Sequence, residues 1–235
     1  MSMKKALTIA GSDSSGGAGI QADLKTFQEL GVYGMTALTT IVAMDPKDHW
    51  HHKVFPQNIE TVEAQLETIL SLDVDAVKTG MLGSVEIIEL AAEKIKEHNI
   101  KNVVIDPVMV CKGEDEVLFP EHTVAYRKSL LPLATVATPN LFEASQLAGM
   151  QTITTVDQMK KAAEKIHALG VQYVIIKGGS KLHGMPNAID LLFDGKEHII
   201  LENELIDTSY THGAGCTFAA AITAELALGK GVREA

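Results

Sequence analysis

The chain has 235 residues, 46% of them hydrophobic and 21% charged, with a formal net charge of -10 at pH 7. It is long enough for one large α/β domain and too apolar for a disordered chain, while its acidity excludes nucleic acid or an anionic membrane as the main partner. No apolar run reaches the length of a membrane span, and two cysteines, Cys111 and Cys216, stand far apart without metal-ligand spacing, which fits a reducing cytoplasm and no disulfide.

Short β-branched runs alternate with amphipathic stretches along the chain, the pattern of repeated βαβ units. A first strand is predicted over residues 6–10; Lys4 and Lys5 precede it, but Gly11 ends the run too early for a signal peptide. The glycine-rich turn Gly11-Ser12-Asp13-Ser14-Ser15-Gly16-Gly17-Ala18-Gly19 leads into a helix carrying Asp23. This turn lacks the Gly-Lys-Ser/Thr ending of a P-loop, so its amides suit a small polar ring or a phosphate rather than a Walker site. Asp23 reads either as a ligand-facing acceptor or as an acid complementing the helix dipole.

A second strand over 36–43 is followed by a loop containing Met44, His49, Trp50, His51 and His52. The histidine spacing fits no common zinc pattern and leaves a solvated loop or a substrate-facing histidine. Helices are predicted over 59–72 and 84–97, with Asn58 and Ser84 as N-caps, and strands over 76–79 and 102–105. The latter runs into Asp106-Pro107-Val108-Met109 and then Cys111-Lys112-Gly113. A strand over 135–138 delivers Pro139-Asn140-Leu141-Phe142-Glu143. Carboxylates and an amide on neighbouring strand ends suit Mg²⁺ and a nucleoside triphosphate, although Asn140 and Glu143 also read as a helix cap with its N3 partner.

A helix over 156–169 stops at Gly170, and a strand over 173–177 ends in Lys177-Gly178-Gly179. Lys112 and Lys177 are candidates to reach phosphates, against the commoner fate of a surface lysine. Asp194-Gly195 between 188–193 and 198–201 marks a hairpin, so the sheet gains antiparallel strands there. Last comes Thr211-His212-Gly213-Ala214-Gly215-Cys216-Thr217, opening a helix of small residues. Unpaired amides at such a start hold an anion, and the helix dipole is expected to lower the Cys216 thiol pKa, a combination that suits phosphoryl transfer to a hydroxyl. Glycines that merely allow close packing are the alternative. In a parallel sheet these loops share the carboxyl edge, where ligands bind. No repeat or linker divides the chain, and residues 229–235 read as a further helix begun and not completed.

Taken together, residues 10–23, Lys78-Thr79-Gly80-Met81, Asp106-Pro107-Val108-Met109, residues 138–143 and Gly213-Ala214-Gly215-Cys216-Thr217 resemble the hydroxymethylpyrimidine (phosphate) kinases of the ribokinase-like superfamily. The resemblance runs from Lys5 to about Ala227. Methionine at Met44, where pyrimidine-specific enzymes place glutamine, and cysteine at Cys111 look like the two-cysteine pyridoxal kinases that arose within that family.

The resemblance implies a ribokinase-like three-layer α/β/α fold with a mostly parallel sheet, antiparallel edge strands and a small lid. It implies a single kinase domain over 1–235 lacking a C-terminal segment, and a cytoplasmic homodimer. The reaction implied is phosphorylation of pyridoxal, pyridoxine or pyridoxamine by ATP and Mg²⁺, with a monovalent cation as a further candidate. Cys216 would be the general base, with Gly213, Ala214 and Gly215 amides on the phosphoryl group. Cys111 would add to the pyridoxal aldehyde as a hemithioacetal. Asn140, Glu143, Lys177, Asp190 and Lys112 would serve ATP, Asp106 and Glu143 the metal, and Gly11, Asp23, Met44, His51 and Met81 the substrate ring. The rival readings are a hydroxymethylpyrimidine kinase, a hydrolase with a Cys216 nucleophile, and a non-catalytic B6-binding protein.

Overall fold

A computed structural model describes residues 3–48, 50–109, 120–180, 182, 186–206, 208 and 210–235. In chain order the elements are β1 (Lys5–Asp13), α1 (Gly19–Glu29), β2 (Tyr33–Asp45), β3 (His51–Pro56), α2 (Ile59–Leu70), β4 (Ala76–Thr79), α3 (Val85–Glu97) and β5 (Val103–Ile105). There follow α4 (Pro120–Ala125), β6 (Val136–Ala137), α5 (Leu141–Ala148), α6 (Val156–His167), β7 (Tyr173–Gly179), β8 (Ala188–Phe193), β9 (His198–Asn203) and α7 (Ala214–Ala227). Helix α4 runs on through a π turn (Tyr126–Leu130) and a 3₁₀ turn (Leu131–Leu133).

The nine strands form one sheet in the order β3-β2-β1-β4-β5-β6-β7-β8-β9. Neighbours from β2 to β7 are parallel, and β3, β8 and β9 join antiparallel. Alternation along each strand separates two cores. Leu7, Ile9, Val77, Val103 and Ile105 face α2, α3, α5 and α6 in one apolar cluster. Ala6, Ala76 and Val104 face the opposite side, where α1 supplies Phe27 and α7 supplies Ala219, Ala220, Ala224 and Ala227. The result is the expected helix-sheet-helix sandwich, and the alanines of α7 allow that helix to lie close on the sheet.

Helix starts follow local chemistry. Asn58 and Ser84 accept the Thr61 and Ile87 amides at 2.9 and 3.2 Å, as N-caps do. A capping box at Thr155 and Gln158 opens α6. The hairpin at Asp194-Gly195 joins β8 to β9, with Gly195 at φ +87°. One strand was not foreseen. Residues 51–56, expected to begin in a loop, form β3, whose side chains are largely exposed and therefore carry no apolar alternation to betray it. The expected lid residues Cys111 and Lys112 lie outside the described residues.

Candidate active site

The carboxyl ends of β1, β4, β5, β6 and β7 deliver their loops to one edge of the sheet, and the start of α7 meets them there. Gly213 is the N-cap of α7 at φ +79°, a left-handed conformation that glycine adopts without strain. A Cβ at that position would also collide with the carbonyl oxygen of Gly17, so two chain segments touch here at backbone distance. The Ala214 amide, expected to face a phosphoryl group, donates to the Thr211 carbonyl at 3.3 Å, while the Thr217 amide begins the helical ladder on Gly213.

Lys177 stands beside that helix start, its Nζ 3.3 Å from where a Cβ on Gly215 would lie. The same Nζ donates to Asp106 Oδ1 at 2.9 Å, and Thr138 donates to that oxygen at 3.3 Å. Burial works against the charge on Lys177, but the Asp106 and Glu143 carboxylates hold its pKa above the ordinary lysine value. Both expected partners of the ATP and metal region, Asp106 and Glu143, are thus gathered around one ammonium group.

Asn140 and Glu143 form a reciprocal capping box at the start of α5. The Asn140 amide donates to Glu143 Oε2 at 2.8 Å and the Glu143 amide to Asn140 Oδ1 at 2.9 Å. Burial pushes the Glu143 carboxyl up to about 7, with Lys177 opposing and Asp106 adding to the rise. Asp190 sits opposite Lys177 in the β7–β8 register and accepts the Gly179 amide at 3.0 Å.

Cys216 is a free cysteine on the first turn of α7. The sequence led to a lowered thiol pKa; the structure corrects this. Burial pushes the thiol up, and Asp106 and Asp23 push the same way. The Lys78 ammonium and a hydrogen bond from the Gly19 amide to the sulfur act against the rise without overcoming it.

Asp23, expected at the substrate ring, has a fully buried side chain that takes Thr8 Oγ1 at 2.6 Å and Lys78 Nζ at 2.9 Å on one oxygen. Oδ1, its other oxygen, has no hydrogen-bond partner. Asp23 supplies the counter-charge that the buried Lys78 ammonium needs. Lys78, which the sequence showed only as part of a motif, is the residue missed there.

The remaining substrate candidates divide. Gly11 and Met81 are neighbours, with a Cβ on Gly11 lying 3.7 Å from Met81 Cβ. Met44 lies at the end of β2, paired in register with His52. His51 is exposed and pairs with Asp45, whereas the His52 ring lies 6.4 Å from that of His212. The structure therefore brings His52 toward the α7 start; His49 lies outside the described residues. His212 itself binds Asp13 Oδ2 at 2.7 Å, a tie across 199 positions that no local pattern announces.

Residues 13–235 match the phosphomethylpyrimidine kinase family. The chain is 68% identical over 236 residues to pyridoxine kinase of Bacillus subtilis, a match covering 100% of this chain and 87% of that protein. It superposes with a TM-score of 0.95 on the ADP complex of Bacillus subtilis pyridoxal kinase, 68% identical and covering 99% of this chain and 87% of that one. The TM-score is 0.93 against Staphylococcus aureus pyridoxal kinase in complex with AMP-PCP and pyridoxal, at 53% identity, 100% of this chain and 84% of that one. The layered sheet described above is thus the ribokinase-like fold. With a match that runs from Asp13 to the last residue, the chain belongs to the phosphomethylpyrimidine kinase family.

Proposed function

We propose that this protein phosphorylates pyridoxal, and its relatives pyridoxine and pyridoxamine, at the 5′-hydroxymethyl group with ATP as donor. The observation that carries the reading is the convergence of a thiol, an amide-lined helix start and the Lys177–Asp106 pair at one point of the sheet edge. Bacillus and Staphylococcus relatives, whose solved structures hold ADP, AMP-PCP or pyridoxal, support the choice of donor and acceptor.

In the proposed step the substrate hydroxyl oxygen forms a bond to the γ-phosphorus while the bond from that phosphorus to the bridging oxygen of ADP breaks. The hydroxyl proton passes to the Cys216 sulfur. The amides of Gly213 and Gly215 and the Lys177 ammonium hold the charge on the transferring group. Lys78, behind the sulfur, favours the thiolate that this proton transfer requires. A thiol raised by burial accepts the proton more strongly once ionised.

The donor set also suits Mg²⁺, which binds through one or two carboxylates plus phosphate and water. Asp106 and Glu143 lie close enough for each charge to act on the other, and among the described residues no group of three or more His, Cys, Asp or Glu forms an all-protein cage. These two carboxylates would hold the ion against the nucleotide, and the ion would neutralise phosphate charge. Asn140 and Asp190 stand beside them as the proposed nucleotide-side contacts, with Lys112 from the lid region and a monovalent cation as further elements of the reading.

Pyridoxal alone among the B6 alcohols carries an aldehyde. Addition of the Cys111 thiol to it forms a carbon–sulfur bond and leaves the thiol proton on the former carbonyl oxygen, fixing the ring reversibly. Gly11, Met44 and Met81 line the proposed ring site. Methionine at Met44 offers a pyrimidine amino group only a weak thioether acceptor, which favours pyridoxal over the hydroxymethylpyrimidine of the family's name. We further propose a cytoplasmic homodimer. Ile41 and Phe55, cross-strand neighbours on the β2–β3 hairpin, are both exposed, and a second copy would cover them. Among the described residues no helix is long and apolar enough to cross a membrane.

The test is turnover of pyridoxal, pyridoxine and hydroxymethylpyrimidine on one purified sample. Preference for pyridoxal is expected. Turnover of hydroxymethylpyrimidine alone would overturn the assignment, and binding of pyridoxal without MgATP consumption would leave a carrier.

A further inference from the structure

We propose that His212 is a positioning residue: through Asp13 it clasps the glycine-rich loop between β1 and α1 to the start of α7, and so aims the Cys216 sulfur. The inference rests on the kinase reading above only for its turnover arm. His212 lies on the α7 side of the clasp and Asp13 on the other. Asp13 is almost fully buried, and its carboxylate takes the Ser15 amide at 2.9 Å, the Ser15 hydroxyl at 2.9 Å, the Gly17 amide at 3.2 Å and the Ala18 amide at 2.9 Å. His212 Nε2 completes this shell at 2.7 Å.

A carboxylate so surrounded by donors accepts from all of them. Burial works to raise its pKa, but the hydrogen bonds from His212, Ser15 and Ala18 hold it below the ordinary aspartate value. Asp13 is therefore ionised and has no proton to give, so the proton in this contact belongs to His212 Nε2. The tautomer follows from the geometry of the partner.

The two segments also touch where side chains are excluded. A Cβ on Gly17 would lie 2.7 Å from His212 Cδ2, and one on Gly213 would strike the Gly17 carbonyl. From this contact the loop turns into α1, and the Gly19 amide at its start acts on the Cys216 thiol, opposing the rise in its pKa. The line from His212 through Asp13 to Gly17, Ala18 and Gly19 thus returns to the residue four places beyond His212 itself. A small displacement of reacting groups is enough to slow a chemical step.

The experiment compares His212→Phe, which keeps the ring and removes the donor, with His212→Gln, which keeps a donor. The pH dependence of Cys216 alkylation by iodoacetamide is read on its own peptide by mass spectrometry, so Cys111 does not contribute. Lys78, Asp23, Asp106 and Lys177, the charged groups around the helix start, are unchanged in both variants. His212→Phe is expected to move the alkylation midpoint to higher pH and to lower kcat by about ten- to a hundredfold, leaving the KM for MgATP near its starting value. His212→Gln is expected to restore both. A His212→Phe variant with unaltered alkylation and kcat overturns the proposal, as does a His212→Gln variant equally impaired. Should His212→Phe not fold, histidine ¹⁵N spectra of the unaltered protein decide: the proton on Nε2 of His212 supports the clasp and on Nδ1 refutes it. If the unaltered protein does not phosphorylate pyridoxal while the alkylation midpoint still follows His212, the kinase reading falls and the clasp stands.

Discussion

Lys78 on β4 and Asp23 on α1 meet at 2.9 Å with neither side chain exposed to solvent. Burial works against the lysine charge, but the Asp23 carboxylate, with Cys216 and Asp106 beyond it, holds its pKa above the ordinary value. Removing one member of such a pair strands the other, so Lys78→Met or Asp23→Leu alone is expected to cost about 3–5 kcal/mol. Combined, the two substitutions should recover most of that loss. Urea unfolding of the three variants measures it, and a double variant no better than either single one contradicts the account.

Gly213 carries both a left-handed backbone and a backbone neighbour. Gly213→Ala is expected to lose more than the ~1 kcal/mol that the conformation alone costs, because the Gly17 carbonyl must also move. Turnover should fall by about a hundredfold, since the amides at the helix start move with it. Denaturation midpoints and steady-state rates on the same preparation check both parts.

Glu143 titrates at about 7 in the folded chain against an ordinary 4.5. Between those values the native state holds a proton that the unfolded state releases, so the carboxyl's contribution to stability is greatest below 4.5 and is lost as pH rises through 7. Glu143→Gln preserves the capping box and removes this titration. Melting temperatures recorded across the window should show the variant gaining on the unaltered protein as pH rises, then running parallel above 7. Parallel curves throughout would mean that Glu143 is ionised across the whole range.

The two cysteines should separate by substrate. Cys216→Ala is expected to lower kcat by about a hundredfold or more for every B6 alcohol, with MgATP affinity little changed. Cys111→Ala should reduce pyridoxal turnover far more than pyridoxine turnover, because only pyridoxal offers an aldehyde. Equal losses on the two substrates would remove the covalent role of Cys111.

Much of this molecule is readable where the signal is local. Ala76–Thr79 and Ala188–Phe193 fall at their expected limits, and Asn58, Ser84 and Asn140 cap the helices that their side chains announce. What stays hidden depends on partners far along the chain. Lys78 reads as a polar residue in a strand until Asp23 is placed beside it, and Asp13 reads as loop polarity until His212 arrives from the other end of the chain. The burial of Asp23 is not legible because a helical carboxylate gives no sign of which way it faces. The Cys216 pKa was misjudged because the helix dipole is visible in sequence and burial beside two carboxylates is not.

Helix α7 packs against β1, β4 and β5 at the middle of the sheet, although it follows all nine of the described strands in the chain. Among the described residues, Ala6 and Ala76 share an apolar cluster with Phe27 of α1 and the alanines of α7, and Val104 shares one with Ala219, Ile222 and Leu226 of α7. A polypeptide emerging from the ribosome therefore completes all nine of these strands before α7 can shield the centre of the sheet. Protease resistance of ribosome-bound chains of increasing length should rise sharply only after α7 has left the exit tunnel, since until then one face of the sheet stays wet.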